Sequence, residues 1–346
     1  FAFFFGNLIA GPIERAKPFL SQVEKDFRLS KIMFAHGSMY IYLGLFKKFV
    51  LAENLANYVM PVFKNLEDYS GLPTVIAILL SKFYLYYDLS GYSDIVVGVS
   101  KMYGIELTRN FNRPLFVTNI TEFWKRWHIS VSTWIRDYIF YPLMATPFSV
   151  LGMSGLLTIS FVLFGLWHGS KFTFILYGIL QAIFLIFSRR TDKILSFVPT
   201  KLLRWTIFYV FFLAIPSALF FSTSVGHFFE ILKASFQPQS ESFSDYANLG
   251  RISLPIIFTI IVFFEFGTHR LFSFDWAGWF MERSFIVKYA LVLGSAILSL
   301  PDQAEQEKPC YFALSANSTR IIRAQFKREK MSLPVLFFKI LGYYLG

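Results

Sequence analysis

Long apolar blocks alternate with short polar joints along this chain. Residues 72–91 are broken only by Lys82 and Asp88, and residues 149–167, 172–188 and 205–229 carry no Asp, Glu, Lys or Arg. Two shorter blocks, 252–264 and 289–301, follow the same habit. A helix that crosses a bilayer needs about 20 apolar residues, with a range of roughly 17 to 25. The pattern therefore predicts about six or seven membrane spans.

The joints are less uniform. GPIERAKPFLSQVEK (11–25) reads as a polar turn entering an amphipathic segment, and 32–46 as a helix ending at Lys47 and Lys48. A further helix is predicted over 72–87. DLSGYSD (88–94) then sets polar side chains and a glycine between apolar runs. Ser93 and Asp94 suit a new helix start, because their side-chain oxygens accept from free backbone N–H groups. RNFNRPLF (109–116) is broken and basic. The next stretch, NITEFWKRWHISVSTWIRDYIFYPL (119–143), predicts one helix. Asn119 caps it, Glu122 closes a capping box, and Pro142 ends it. Phe123, Trp127, Val131, Trp134 and Tyr138 fall on one face, a stripe that suits packing as well as a ligand box. Glu122, Lys125, Arg126, His128, Arg136 and Asp137 are too many ionisable groups for lipid contact. Such a helix lies at the interface or is re-entrant and buried in protein.

Composition strengthens the membrane reading. Of 346 residues, 55% are hydrophobic, 20% aromatic and only 16% charged, against about 25% charged in soluble domains. Mean hydropathy is +0.50. The expected class is an all-α integral membrane protein. Net charge is +11, but the cations collect between apolar blocks: Lys47 and Lys48, then Arg189, Arg190, Lys193, Lys201 and Arg204. That placement points to lipid headgroups rather than nucleic acid. Short loops rich in Lys and Arg usually face the cytoplasm, so the 189–204 joint is the expected cytoplasmic marker. The one cysteine, Cys310, allows no internal disulfide and leaves the apolar body without thiolate metal sites. The chain opens at Phe1 inside an apolar run, as a piece of a longer protein would. Residues 301–346 turn polar and then basic, either as a cytoplasmic tail near anionic lipid or as a segment foreign to the rest.

Candidate chemistry lies with the histidines. Two of the five occur as Trp-His pairs, Trp127–His128 and Trp167–His168; His36, His227 and His269 stand apart. His168 lies in a run, 138–170, without a single Asp, Glu, Lys or Arg. An ionisable group at membrane depth is expensive and is a functional candidate for that reason. The bland alternative is a neutral imidazole bonded to a backbone carbonyl inside the bundle. No HxxxH, HExxH or GxSxG pattern is present, so neither a metal centre nor a hydrolase elbow is expected. General acid–base work fits an imidazole better. Gly165 and Gly169, either side of LWH, are expected to let backbone approach a substrate.

DLSGYSD, NFNRPLF, ITEFWKRWHISVSTWIRDYIFYPL and GLWHGSKFTFILYG, in that order after LIAGPIER, resemble the membrane-bound O-acyltransferase family. The likeness is greatest to its bacterial branch for alginate and peptidoglycan O-acetylation, and it runs continuously over about residues 5–190 and loosely to about 300. The resemblance implies a multi-helix transmembrane bundle over 1–300, with re-entrant or interfacial helices forming a tunnel. It implies multi-pass insertion in the bacterial inner membrane and a cytoplasmic thioester donor, acetyl-CoA, with no bound cofactor. It also implies a periplasmic or extracellular acetyltransferase or esterase partner and a polysaccharide acceptor. The principal catalytic histidine falls on His168 and the second motif histidine on His128. Asp94, Glu122, Trp124, Arg136, Asp137 and Trp167 lie in matching motifs as site-lining residues. Three features depart from the pattern: the front is short, MATPFSVLGMSG (144–155) lacks a basic glycine-rich loop, and the C-terminal tail is not aromatic. D-alanyl transfer to teichoic acid is the alternative within the family. A transporter with His128 and His168 as a proton relay is the alternative outside it.

Overall fold

In the computed structural model, residues 11–24, 30–238 and 243–271 are described; they form helices joined by short turns, with no strand among them. Helix α1 (Ala16–Val23) follows the GPIER turn. Helix α2 (Lys31–Leu45) does not stop at the two lysines. It passes through a π-helical turn (Phe46–Ala52) into α3 (Glu53–Lys64). Helix α4 (Leu72–Met102) starts after Gly71, at φ 75°, with Pro73 in its first turn. Its 31 residues, at about 1.5 Å each, reach about the full thickness of a bilayer.

The helix start expected at Ser93 and Asp94 is absent, because α4 runs straight through DLSGYSD. The reason is long-range. The π-helical turn sets two successive lysines against α4, where Lys48 pairs with Asp88, and Lys47 Nζ lies 2.6 Å from Asp94 Oδ2. Both carboxylates are neutralised inside the protein, so the helix need not break to bring them to water. Helices α2 and α4 touch backbone to backbone. A Cβ on Gly37 would come within 2.6 Å of the Gly98 carbonyl oxygen, and one on Gly44 within 2.5 Å of that of Gly91. Small residues permit such an approach where lipid offers no hydrophobic drive to association.

The single helix expected over 119–141 is also corrected. It is divided into α5 (Ile120–Arg126) and α6 (Ile129–Ile135). A π-helical turn (Arg136–Phe140) then leads to α7 (Tyr141–Met144). Pro142 opens α7 rather than ending a helix, a position where its missing N–H costs nothing. The break falls at Trp127–His128, with His128 at φ 45°. The loop from 109 to 116 satisfies the groups the break frees. Asn112 N donates to Arg126 O (3.0 Å), Ile129 N to Asn110 O (2.9 Å), and Ser130 N to Asn110 Oδ1 (3.0 Å). Asn119 caps α5 as expected, accepting from Glu122 N at 2.8 Å. The Glu122 carboxylate turns to Lys125 and Arg126 instead of closing the box.

Helix α8 (Gly152–Trp167) follows a 3₁₀ turn at Pro147–Leu151 and packs on α9 (Phe172–Ile186). Then come α10 (Ser188–Ser196), α11 (Lys201–Phe208), a π-helical turn (Tyr209–Ala214) and α12 (Ile215–Phe221). Helices α13 (Val225–Ala234), α14 (Phe243–Ala247) and α15 (Leu254–Leu271) complete the described chain. Among the described residues, three helical stretches are long and apolar enough to cross a membrane: Leu72–Met102, Pro147–His168 and Lys201–Phe221. A fourth is formed if α9 and α10, bent by 63° at their junction, count as one. The protein is thus an all-α membrane protein. The 189–204 joint is largely helical. The expected span at 289–301, the 301–346 tail and the His269 side chain lie outside the described residues.

Candidate functional site

His168 ends α8. Its backbone N–H donates to Gly165 O at 3.0 Å, and the chain turns away through Gly169 at φ 144°. Gly165 has a different task from the one expected of it. A Cβ there would collide with the Phe174 carbonyl oxygen, and a Cβ on Gly178 would collide with that of Phe161. These glycines let α8 and α9 meet backbone to backbone and so fix where His168 stands. Its half-buried ring sits among Phe164 (ring centroids 4.9 Å apart), Trp167 (4.9 Å), Phe220 (5.0 Å) and Phe174 (6.1 Å).

The break between α5 and α6 delivers the second histidine to the same place. His128 is buried, and its ring stands edge-on to Trp167 with centroids 5.9 Å apart. Among the described residues, the buried Nδ1 of His128 has no hydrogen-bond partner. Trp124 joins this cluster through Phe161 (4.9 Å) and Phe164 (5.4 Å); its buried Nε1 is likewise unpartnered among the described residues. Trp167 is 54% exposed and closes the cluster on its outer side. Two imidazoles thus join one aromatic cluster through Trp167, and the His128 ring nitrogen is left free for a proton donor or acceptor.

The other site-lining candidates lie elsewhere. Asp94 is held by Lys47 on the α2–α4 side, one aromatic layer removed: Lys47 Nζ is 5.9 Å from the Tyr86 ring centre, and Tyr86 is 6.4 Å from Trp127. Glu122 is part-exposed and pairs with Lys125 (3.0 Å) and Arg126 (3.4 Å). Lys125's hydrogen bond holds the Glu122 carboxyl below the usual range. Arg136 and Asp137 form a surface group with Arg15, at 2.8 Å and 2.7 Å from the Asp137 carboxylate. Arg136's hydrogen bond is the main reason the Asp137 carboxyl is also held low. This group ties the GPIER turn to α6, where Ile13 N also donates to Ser130 Oγ at 2.9 Å.

Sequence reasoning passed over Lys82 and Tyr177. Lys82, in the middle of α4, is 1% exposed, with its ammonium 3.9 Å from the centre of the Trp127 ring and 3.4 Å from the Tyr177 hydroxyl. The signal was present: one lysine among the aromatic residues of SKFYLYYD (81–88). Among the described residues, no three His, Cys, Asp or Glu side chains come together as a metal ligand set. A cavity of about 320 Å³ lined by Phe46, Thr259, Ile260, Phe263 and Phe264 lies between the π-helical turn and α15, apart from the histidines.

Known proteins are similar to this chain in sequence. The model of the family described as MBOAT, membrane-bound O-acyltransferase family, matches residues 1–227. The peptidoglycan O-acetyltransferase of Helicobacter pylori is 35% identical over 217 residues, which cover 61% of this chain and 41% of that protein. The probable alginate O-acetylase AlgI of Pseudomonas aeruginosa is 36% identical over 190 residues, 55% of this chain and 36% of its own length. The teichoic acid D-alanyltransferase of Bacillus subtilis is 28% identical over 218 residues, 60% of this chain and 55% of that protein. The chain therefore spans less than two thirds of each relative. With the family model covering well over half of its residues, both Trp-His pairs included, the chain belongs to the membrane-bound O-acyltransferase family.

Proposed function

We propose that this protein transfers an acyl group, most simply acetyl, from a cytoplasmic thioester such as acetyl-CoA to a cell-surface or cell-wall polysaccharide. It would work in the bacterial inner membrane with a periplasmic or extracellular acetyltransferase or esterase partner. The observation that carries the reading is the meeting of His128 and His168 around Trp167, inside the segment matched by the family. The Helicobacter and Pseudomonas relatives, by their names, O-acetylate peptidoglycan and alginate.

In this reading His168 is the general base. The acceptor hydroxyl oxygen attacks the acyl carbonyl carbon while its proton passes to the imidazole. The tetrahedral intermediate then collapses, the C–S bond breaks, and the leaving thiolate takes the proton back. A positioned base of this kind contributes about 10²–10⁴-fold. His128 orients a ligand or serves a second proton transfer, and Trp124 and Trp167 shape the pocket. Asp94, Glu122, Arg136 and Asp137 act on the fold around it.

A second reading is D-alanyl transfer to teichoic acid, favoured by the similarity to the Bacillus protein. Mass analysis of the modified polymer from cells with and without the protein separates the two. An acetyl increment that disappears in a His168→Ala strain supports the first reading, and an alanyl increment replaces it with the second.

A further inference from the structure

Lys82 is a charged group of this neighbourhood that the mechanism above leaves unused. It rises from α4 into the space between α5 and α9, fully enclosed. The rings of Trp127, Phe123 and Tyr177 surround its ammonium, with centres 3.9, 5.1 and 5.9 Å from Nζ. An ammonium has three donors. Among the described residues this one has a single acceptor, the Tyr177 hydroxyl at 3.4 Å, and it makes no ion pair. The contrast within α4 is sharp, since Asp88 and Asp94 are each neutralised by a lysine. Aromatic faces ease the burial of a cation, but a methionine or leucine would fill the same cage without the desolvation cost. What lysine adds there is charge.

That charge adjoins the histidines. Trp127, whose face carries the ammonium, directly precedes His128. Tyr177 packs on Phe220 (5.6 Å), and Phe220 packs on His168 (5.0 Å).

We infer that Lys82 is a further active-site residue, whose ammonium stabilises the negative charge that develops on the acyl carbonyl oxygen during transfer at His168. The inference rests on the acyltransfer reading. As the hydroxyl oxygen bonds to the carbonyl carbon, the C=O π pair moves onto oxygen and the hydroxyl proton moves to His168. The enclosed ammonium acts on that oxyanion through its charge, across the aromatic layer of Trp127, Tyr177 and Phe220, without touching it. When the C–S bond breaks, the carbonyl re-forms, and the ammonium stays in its aromatic cage with no change in its own protonation. A fixed charge that finds its partner only in the transition state lowers the barrier rather than tightening substrate binding.

The test compares Lys82→Met, which keeps length and volume, with the parent protein. Both are full-length, in membrane vesicles, and supplied with radiolabelled acetyl thioester. Rates are normalised to folded protein, measured by monodisperse recovery in detergent. The expected result is a fall in kcat of about 10²–10³-fold with KM for the thioester within about twofold. A fluoroacetyl thioester, whose oxyanion is stabilised by its own fluorine, should narrow the gap between variant and parent at least tenfold. A purely structural lysine would leave that gap the same for both donors. Lys82→Gln carries the same comparison if the methionine variant is not recovered folded. A folded variant within threefold of the parent, or a gap indifferent to fluorine, overturns the inference while leaving the acyltransfer reading intact. Absence of His168-dependent transfer in the parent overturns both.

Discussion

His128 and Trp167 pack edge to face, 5.9 Å between ring centres, although one opens α6 and the other closes α8. Two different devices place them. The break before α6 is held by Asn110 and Asn112 from a separate loop, and the end of α8 is held by glycine contacts with α9. The meeting of the two rings is thus a product of backbone geometry at some distance from the imidazoles, and that can be tested.

Gly165→Ala should loosen the α8–α9 contact. The added Cβ has backbone in its way, so α8 must shift. Overpacking of this kind typically costs about 1–3 kcal/mol. The expected outcome is a lower thermal midpoint in detergent and a loss of transfer larger than the loss of folded protein. Unchanged transfer would mean that the contact does not position His168.

The Lys47–Asp94 pair should behave as a coupled unit. Its side chains are 11% and 14% exposed, so removing one partner strands a charge, at a cost of about 3–5 kcal/mol. Asp94→Asn alone should sharply reduce folded yield, and adding Lys47→Met should recover much of it. A double variant no better than the single one would show that the two charges do not depend on each other.

The Arg15–Asp137–Arg136 group should loosen only in acid. The Asp137 carboxyl is held below its ordinary value, chiefly by the Arg136 hydrogen bond and then by the charges of Arg136 and Arg15. Its contribution is therefore complete above the unfolded value of about 3.9 and fades as pH falls through the lower folded one. The group is partly exposed, so the effect should stay within about 1 kcal/mol. Hydrogen exchange at residues 13–15 reports it. Protection should hold at neutral pH and drop below about pH 4, whereas Asp137→Asn should lack the pH step. A step of the same size in that variant would assign the titration to another group.

The sequence disclosed this protein unevenly, for physical reasons. Helix α8 was plain because a charge-free run needs no partner to declare itself, and the Asn119 cap was plain because it acts over three residues. The continuity of α4 was hidden, since the lysines that neutralise Asp88 and Asp94 come from a helix far earlier in the chain. The split at His128 was hidden in the same way, behind caps contributed by the 109–116 loop. The two Trp-His pairs could be picked out one by one, but not their convergence. Lys82 looked like a flaw in an apolar block until the rings around its ammonium were in place.

The central claim is that the imidazole at position 168 takes the proton of the attacking hydroxyl. The most direct measurement is the single-turnover rate of acyl transfer by His168→Ala, per folded molecule, at saturating thioester. A fall of at least about 10²-fold, with the variant folded and membrane-inserted like its parent, is the predicted result. A folded variant that transfers at the parental rate would contradict it.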